Sequence, residues 1–519
     1  MTQPRSGSDD IPWLTVVLLT LATLLAFVTT TIVMIITPRL MLALGVGTYR
    51  IAWVSSAYLI ASGLIVPVSG YLGERLHMKR LFLIALGVFV FGSLLSGLAN
   101  DITTLLVARV VQALGGGLLM PVSNAIILRI VPPRRLGAAM AVRGISVSAG
   151  PSVGPVLGAY LTDRLGWHAV FLMNVPLGIL ILILIYFLIP EVESFHEPHF
   201  DYVGLILSCI MLFSVLLAIS EGQQAGWTSL YIVVLFTLSF FFGLLFVIWE
   251  LNTEYPLLDL RLFKNIFFTA SMVTAVIATI GMYSGTYFTP LFTEESMHLT
   301  LIRTGLLLAP AGVAMGIIAF VAGNLFDRVG TLPLAVAGLT LASAMSFEMA
   351  YLSPATSFES LMWLLVWRSL GIGLALFPLT TGALYTVPRR LAGRASAINS
   401  VARMVPASMG LAYFTFVLNR QEAVHFNNIA TGINVFSPAS RLTVAELSHA
   451  TGSRVNQALA VLWGEVQSQA LARSLDDVFF LGAAFLLLAI PFSLLLGKGR
   501  MERARVREEA RMAENGLKS

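Results

Sequence analysis

The chain has 519 residues, of which 57% are hydrophobic and only 11% are charged, and its net charge is +5 at pH 7. Because an ordinary soluble domain carries about 25% charged residues, this composition excludes a soluble enzyme and a nucleic-acid-binding domain and predicts an all-α polytopic membrane protein. The single cysteine, Cys209, excludes an intramolecular disulfide and a cysteine-based metal site.

Apolar runs that end at charged residues, proline or glycine predict fourteen transmembrane helices, since one span needs about 20 apolar residues. The predicted spans are 14–36, 51–72, 80–98, 102–127, 138–161, 168–189, 201–220, 229–250, 266–292, 304–325, 332–352, 360–385, 394–418 and 478–497. We expect two pseudo-symmetric six-helix bundles with two inserted helices between them. The expected units are an N-terminal bundle at 1–190, the insert and its linkers at 191–264, a C-terminal bundle at 265–497 with a periplasmic segment at 419–477, and a tail at 498–519.

The distribution of lysine and arginine predicts the orientation of the chain. If the N-terminus lies in the cytoplasm, the basic residues concentrate in the cytoplasmic loops and tail, as the positive-inside rule requires. We therefore expect a multi-pass protein of the cell (inner) membrane with both termini in the cytoplasm. The lipid bilayer is its expected surrounding partner, and no metal, cofactor or nucleic acid is expected. Acidic and histidine residues at 191–201 fit a solvated linker better than a metal site.

A turn motif of the form G-x3-[DE]-R follows both the second and the tenth predicted spans. Its residues are Gly70, Glu74, Arg75 and, beyond the turn, Arg80 in the first copy, and Gly323, Asp327 and Arg328 in the second. An acid in such a turn can cap a helix N-terminus or pair with an arginine of the opposite bundle. Turn glycines combined with positive-inside topology are the plainer alternative.

Apart from the arginines that begin spans 80–98 and 394–418, four arginines lie inside predicted spans, where a charge is costly and indicates function. They are Arg109, Arg143, Arg368 and Arg403. Arg143 and Arg403 lie near cytoplasmic ends, so we expect their guanidinium groups to reach the membrane surface. Arg109 and Arg368 should face the bundle interior. Arg109 shares a helix face with Gln112, and the glycines at 115–117 permit close helix packing.

The fifth span contains glycines at every fourth position together with two prolines. The set is Gly150, Pro151, Gly154, Pro155 and Gly158. The glycines form a smooth stripe for helix contact, and each proline removes a backbone hydrogen bond. This combination favours a hinge over ordinary helix packing.

These motifs resemble those of the major facilitator superfamily: the turn after span 2 its motif A, residues 109–117 its motif B, and residues 150–159 its antiporter motif C. Within that superfamily the chain resembles the fourteen-span drug:proton antiporters of the EmrB/QacA type, and segment 419–477 is nearest to the EmrB type. The resemblance implies proton-coupled export of amphipathic drugs or toxic small molecules by alternating access. It also implies a coupling role for Arg109 and Gln112, and a periplasmic adaptor with an outer-membrane channel as partners.

The chain departs from the family pattern at four positions. Thr29 stands where the family usually has an aspartate in span 1, and Met34 replaces an asparagine. His77 and Ala113 each stand where glycine is usual. The first departure puts the usual proton site in doubt, and Glu348, which lies between Phe347 and Met349, is the candidate proton-binding residue. An acid anchored at the membrane interface and in contact with water is the alternative.

Six polar residues of the spans are candidates for lining a mostly apolar substrate cavity. They are Thr29, Thr30, Asn124, Tyr283, Tyr287 and Arg368. Because the span 1 acid is missing and an arginine is present, we expect neutral or anionic cargo. Two alternatives stay open: a dedicated exporter of one endogenous metabolite, and a transporter-like sensor or scaffold that does not transport.

Segment 419–477 predicts an amphipathic helix after Ser453. Apolar residues recur there at helical spacing, at Val455, Leu459, Leu462, Val466 and Ala470. A helix outside the membrane needs a partner surface for its apolar stripe. A periplasmic adaptor protein is one expected partner. The alternatives are the chain's own preceding strand or helix from Leu442 to Leu447, and a lid over this protein's own cavity.

Overall fold

The computed structural model describes residues 12–132, 135–189, 191, 200–388, 391–432 and 455–497, and all regular structure in these ranges is helical. We number fourteen long helices in chain order. They are α1 Trp13–Leu44, α2 Thr48–Ile65, α3 Met78–Gly97, α4 Ile102–Ile130, α5 Leu136–Leu165, α6 Asn174–Leu188, α7 Tyr202–Ala225, α8 Leu230–Asn252, α9 Ile266–Leu291, α10 Leu301–Val329, α11 Thr331–Glu348, α12 Phe358–Tyr385, α13 Ala392–Gly432 and α14 Val455–Ser493. A short helix, Ser69–Leu76, follows α2 through a 3-10 turn, and another, His168–Leu172, precedes α6.

Helix starts follow from local sequence, because a polar side chain before the first turn can accept backbone N–H groups. Asp101 caps α4 in this way, and its carboxylate accepts the N–H groups of Thr103 and Thr104 at 2.9 and 3.0 Å. Asn265 caps α9 by the same type of bond. The local sequence therefore sets the residue at which these two helices begin.

Thirteen helices in the described ranges are long and apolar enough to cross a membrane. The remaining predicted span corresponds to α5, which has 30 residues and a length of about 45 Å. Its glycines, serines and prolines lower its hydrophobicity, but it packs between α1 and α10 inside the bundle. With α5, the described residues hold a helix at each of the fourteen predicted spans, which is consistent with the predicted number, and the all-α fold is confirmed.

The last two spans are much longer than predicted. Helix α13 has 41 residues and continues to Gly432, and α14 has 39 residues and begins at Val455. Each is about 60 Å long, twice the thickness of the hydrocarbon core. The expected loop at 419–477 is therefore largely an extension of two helices beyond the membrane, and only its central part at 433–454 lies outside the described residues.

Helices α1–α6 form one half of the molecule and α9–α14 the other. The halves meet where α5 packs on α10 and where α13 packs on α4 and on the short helix Ser69–Leu76. The inserted pair α7 and α8 lies at the side, and α7 contacts both α2 and α13. We call the end that carries residues 69–80 the inner end, because the basic residues predict that it faces the cytoplasm, and the opposite end the outer end.

Among the described residues, the apolar core is continuous across the halves at the inner end only. One cluster there joins Phe82 and Leu128 of the first half to Leu384 and Ala395 of the second. At the outer end each half has its own cluster, one around Ile32 and the other spread along α9, α10, α12, α13 and α14. Because the inner-end cluster joins the halves, the structure is closed at the inner end.

Candidate functional site

Each half presents a motif A glycine to the other half at the inner end. A Cβ atom on Gly70 would lie 3.1 Å from the backbone nitrogen of Arg394, at the start of α13. On the opposite side of the boundary, Gly323 of α10 contacts the backbone of Gly137, at the start of α5. The two contacts are related by the pseudo-symmetry of the halves, and both require glycine because backbone meets backbone.

The two motif A acids reach the same helix starts. A carboxylate oxygen of Glu74 lies 3.8 Å from a guanidinium nitrogen of Arg394. The carboxylate of Asp327 accepts the backbone N–H of Gly137 at 3.1 Å and that of Ala138 at 3.4 Å. An acid at a helix N-terminus is stabilised by the helix dipole. Each acid therefore attaches its own half to the first turn of a helix in the other half.

The basic residues of motif A lie on the surface. Arg75 donates to the hydroxyl of Tyr71, within its own short helix, at 3.0 Å. Arg80 forms an exposed ion pair with Glu191 at 3.0 Å. Arg328 is exposed at the end of α10. The partners of Arg75 and Arg80 lie outside the second half, unlike those of Glu74 and Asp327.

The backbone conformation of His77 is one that favours glycine, which is the residue expected at this position from the family resemblance. The residue lies between the short helix and α3 with φ 66° and ψ 136°, a backbone conformation that L side chains rarely adopt. The turn therefore carries strain that a glycine there would not have.

Arg109 is the centre of a buried polar network in the first half. Its Nε donates to the carbonyl of Val54 at 3.1 Å, and its Nη1 donates to Oε1 of Gln112 at 2.5 Å. Gln112 in turn donates to the hydroxyl of Ser93 at 2.6 Å. The guanidinium also stacks over the ring of Tyr58 at 4.2 Å, a cation–π contact.

The network connects α1, α2, α3 and α4. Tyr58 is hydrogen-bonded to the side chain of Thr30, so the cavity candidate on α1 is joined to the motif B arginine. The glycines at 115–117 let α4 approach α3 and α2 so closely that a Cβ atom at each would overlap a neighbour. A movement of α1 or α2 would therefore disturb the bonds of Arg109 directly.

Arg368 occupies a similar place in the second half. It is 3% exposed, and its Nε donates to the hydroxyl of Ser346 of α11 at 2.8 Å. Its Nη2 donates to the carbonyl of Met282 of α9 at 3.0 Å, and the guanidinium lies against Gly285. Arg368 is therefore packed among the helices of its own half, and its donors are used there. This position does not fit the expected role of a cavity-lining side chain.

The motif C glycines face α1 of the same half. A Cβ atom on Gly150 would lie 3.3 Å from Cβ of Phe27, and one on Gly154 would lie 3.0 Å from Cβ of Thr31. Gly158 faces the side chain of Ile32, where a Cβ atom would lie 2.6 Å away. The stripe sets the distance between α1 and α5. The side chains of Pro151 and Pro155 lie outside the described part of the structure.

The remaining cavity candidates lie in different surroundings. Thr29 is 1% exposed, and its hydroxyl donates to Oδ1 of Asn174 at 3.1 Å, so it packs between α1 and α6 instead of lining open space. Asn124 is fully buried on α4, and neither side-chain atom of its amide has a hydrogen-bond partner among the described residues. On α9, Tyr283 is half-buried and Tyr287 is 41% exposed.

The expectation that Arg143 reaches the membrane surface is wrong. Its side chain is 2% exposed and points into the protein, where Nε and Nη1 have no hydrogen-bond partner among the described residues. Arg403 of α13 is half-buried and close enough to act electrostatically on Arg143. A sequence signal for this pairing exists: Val131-Pro132 before α5 and Val387-Pro388 before α13 are each followed by Arg-Arg-Leu within four residues. This repeat marks α5 and α13 as equivalent helices.

The structure does not favour Glu348 as a proton-binding residue. Glu348 is exposed at the end of α11, although Met349 beside it is fully buried. Two other acids at the outer end are better enclosed. Asp477 of α14 is 2.9 Å from Nε2 of His425 of α13, and Oδ1 of Asp476 is buried without a partner in the described ranges. The pairing was not visible in sequence because 52 residues separate His425 from Asp477.

Two pseudo-symmetric helical halves, reciprocal contacts at one end and buried arginines on both sides define a multi-pass membrane protein of a transporter class. A family model described as Major Facilitator Superfamily matches residues 19–411. The chain belongs to the major facilitator superfamily and is of its EmrB type. This is a family of transporters and not of enzymes.

Two relatives and one solved structure illustrate the similarity. "Probable multidrug resistance protein EmrY" of Escherichia coli (strain K12) is 28% identical over 482 residues, which cover 92% of this chain and 94% of that protein. "Fatty acid resistance protein FarB" of Neisseria gonorrhoeae is 27% identical over 503 residues, which cover 95% and 97%. The human organic anion transporter MFSD10 has the same fold, with a TM-score of 0.61 at 14% identity, and the match covers 93% of this chain and 100% of that one.

Proposed function

We propose that this protein exports amphipathic small molecules across the cell (inner) membrane in exchange for protons. The observation that carries the proposal is the reciprocal closure of the inner end, where Gly70 meets Arg394 and Gly323 meets Gly137. Contacts of this kind, two small backbone contacts reinforced by one acid each, can separate without breaking either bundle. A rigid sensor or scaffold has no need of such a boundary.

Alternating access follows from this arrangement. With both termini in the cytoplasm, the inner end faces the cytoplasm, and the structure is an outward-facing state. Separation of α5 from α10 and of α13 from α2 and α4 would open a route from the cytoplasm, while the halves close at the outer end. The packing of α7 against both α2 and α13 places the insert beside this moving boundary.

Proton coupling is assigned to two regions. At the outer end, the enclosed acids Asp476 and Asp477, with His425, are candidates to receive the entering proton in place of Glu348. Within the first half, the hydrogen bonds of Arg109 and Gln112 would change when α1 or α2 moves. The energy source is the proton gradient, with no bound cofactor.

The names of the relatives support an efflux role. One is called a probable multidrug resistance protein and another a fatty acid resistance protein. Amphipathic compounds that enter the membrane would suit both descriptions. Small-molecule cargo is therefore the expected partner, together with the bilayer and a periplasmic adaptor with its outer-membrane channel.

The test uses the purified full chain in proteoliposomes with an imposed pH gradient. A panel of amphipathic cations, anions and neutral compounds is offered, and both compound transport and internal pH are recorded. The proposal expects transport that depends on the gradient, and proton movement opposite to that of the compound. Transport that is independent of the gradient contradicts antiport, and transport of one panel member only favours the dedicated metabolite exporter.

A further inference from the structure

Two arginines from opposite halves lie within electrostatic range of each other. Arg143 lies on α5 of the first half, and Arg403 lies on α13 of the second. The charge of Arg403 acts on the guanidinium of Arg143, and Tyr283 of α9 lies within electrostatic range of Arg403. The site therefore combines two positive groups and one phenol, contributed by three helices.

Among the residues that the structure describes, none neutralises this pair. No ion pair of the described residues includes Arg143 or Arg403. The Nε and Nη1 atoms of Arg143 are buried and have no hydrogen-bond acceptor among those residues. Buried polar groups are normally paired, because an unpaired buried charge is destabilising.

The other two arginines inside the spans show that the fold can satisfy such groups. Arg109 donates to Val54 and Gln112, and Arg368 donates to Ser346 and Met282. Arg143 differs from both, since it is as deeply buried but its Nε and Nη1 have no partner among the described residues. Unused donors next to a second positive charge are the arrangement expected at a site for an anion.

We propose that Arg143 and Arg403 form the subsite that binds the carboxylate of an amphipathic cargo. The planar guanidinium presents two parallel N–H groups that match the two oxygens of a carboxylate. A second positive charge beside it strengthens the attraction for a single negative group. This inference rests on the proposed transport function and names the chemical class of its cargo.

The surroundings suit the rest of such a molecule. The ring of Phe377 on α12 lies against Gly144, the residue next to Arg143. Tyr283 and Tyr287 lie one helical turn apart on α9, and Tyr287 is 41% exposed. An aromatic and apolar wall beside a charged subsite fits an acyl or aromatic chain that ends in a carboxylate.

Asn399 supplies a further polar group to the same helix face. It lies four residues before Arg403 on α13, so the two side chains project from one face. Asn399 is 1% exposed, and both polar atoms of its amide lack a partner in the described part of the chain. Its amide N–H can donate a second hydrogen bond to a bound carboxylate or to the polar end of a longer headgroup.

The subsite also gives cargo a role in the movement. Two positive groups from opposite halves repel each other, and a carboxylate between them removes that repulsion. Binding therefore favours the arrangement in which α5 and α13 approach each other, and loss of the anion favours their separation. A ligand can shift the equilibrium only because it has different affinities for the two arrangements.

The test measures binding to the purified full chain in detergent, without any transport step. The probes are laurate, dodecanol and dodecyltrimethylammonium, which share one chain length and differ in headgroup charge. Wild-type protein should bind laurate more tightly than the other two. Arg143→Gln and Arg403→Gln should each weaken laurate binding about tenfold, the loss expected for one hydrogen bond to a charged group, and leave dodecanol binding unchanged.

Three controls keep the result interpretable. Arg143→Lys keeps the positive charge but not the two parallel N–H groups. This variant should retain part of the preference for laurate. The double variant should lose less than the product of the single losses, because both arginines hold one carboxylate. Arg303→Gln, at an exposed site on α10, should have no effect. All variants are compared by size-exclusion chromatography and melting temperature.

Equal affinity of the wild type for laurate and dodecanol would overturn the proposal, and so would unchanged laurate binding in both single variants. A loss that is equal for all three probes would also overturn it, because it would indicate altered packing. These results are distinct from a failure of the proposed function. A protein that transports the panel by antiport without preferring laurate would keep the function and lose only this subsite.

Discussion

Glu74 and Arg394 face each other across the boundary between the halves, with a carboxylate oxygen 3.8 Å from a guanidinium nitrogen. Glu74 also acts on Arg129 of its own half, so one acid lies between two arginines of different halves. The second acid, Asp327, makes the corresponding contact from the other half, to the first turn of α5. The inner end is therefore held by two acids in equivalent positions.

We predict that Glu74→Gln and Asp327→Asn each weaken the closed inner end. In a Cys209→Ser background, the buried Ser396 of α13 is replaced by cysteine, and its labelling by a maleimide is followed. A loss of about 1 kcal/mol from the closed state would raise the labelling rate roughly fivefold. Glu191→Gln removes a surface ion pair away from the boundary and is the matched control. Unchanged labelling in both variants would leave only a topological role for the motif.

Arg109→Ala should abolish export without preventing folding. The substitution removes the bonds to Val54 and Gln112 and takes the buried Oε1 of Gln112 away from its donor, so some loss of melting temperature is expected. The network that joins α1, α2 and α4 is lost with it, so we expect proton-driven transport to fall at least tenfold. Expression, chromatography and transport in proteoliposomes are compared with Arg303→Ala. Normal export by the Arg109 variant would refute a coupling role.

The spacing of α1 and α5 gives a third prediction, for Gly154. A Cβ atom there would lie 3.0 Å from Cβ of Thr31, so Gly154→Ala should be tolerated with reduced activity. Gly154→Leu has no room, and it should abolish transport while the protein still inserts. Gly464→Leu is the matched control, because nothing lies within 4 Å of a Cβ atom at that position. Full activity of the Gly154→Leu variant would show that the stripe is ordinary packing.

The strained turn at His77 gives a prediction of opposite sign. With φ 66° and ψ 136°, a side chain there is unfavourable, so His77→Gly should stabilise the folded protein by about 1 kcal/mol. The melting temperature should rise, whereas His77→Ala should leave it nearly unchanged because alanine has the same backbone preference. A lower melting temperature for the glycine variant would mean that the imidazole makes a contact worth more than the strain.

Much of the fold could be predicted because each span is a local property of the chain. The length of an apolar run sets the helix, and residues such as Asp101 set where it begins. The start of α14 at Val455 agrees with the helix that the sequence predicts after Ser453, but the extension of α13 to Gly432 could not be predicted this way. Residues beyond Leu418 and before Val478 are too polar to read as membrane spans, although the backbone continues as helix on both sides.

Less of the site could be predicted from the sequence, because its geometry depends on contacts between residues that are distant along the chain. The motif A and motif B residues were identified from local spacing alone. Nothing in that spacing indicates that Arg368 is held by its own half, or that Thr29 bonds to Asn174. Likewise, the depth of Arg143 along α5 suggested that it reaches the surface, whereas the packing of the neighbouring half encloses it.

The helical extension at the outer end has an apolar stripe that is only partly covered by the chain itself. Val466 and Ala470 of the predicted stripe are buried within the chain, and Phe426 of α13 packs on Trp463 of α14 with ring centroids 4.7 Å apart. Trp463 nevertheless stays 60% exposed, and Val424 stays 44% exposed. The surface available to another protein is therefore the flank around Trp463 and not the whole stripe.

We predict that this flank docks a periplasmic adaptor protein. Trp463→Ser should leave transport into inner-membrane vesicles normal, because no adaptor is needed there, and should lower drug resistance in whole cells severalfold. Tyr351→Ser, at an aromatic residue that is 72% exposed at the end of α11, is the matched control and should change neither measurement. Loss of both activities in the Trp463 variant would instead favour a lid that acts within this protein. Normal resistance with normal transport would show that this flank docks no adaptor.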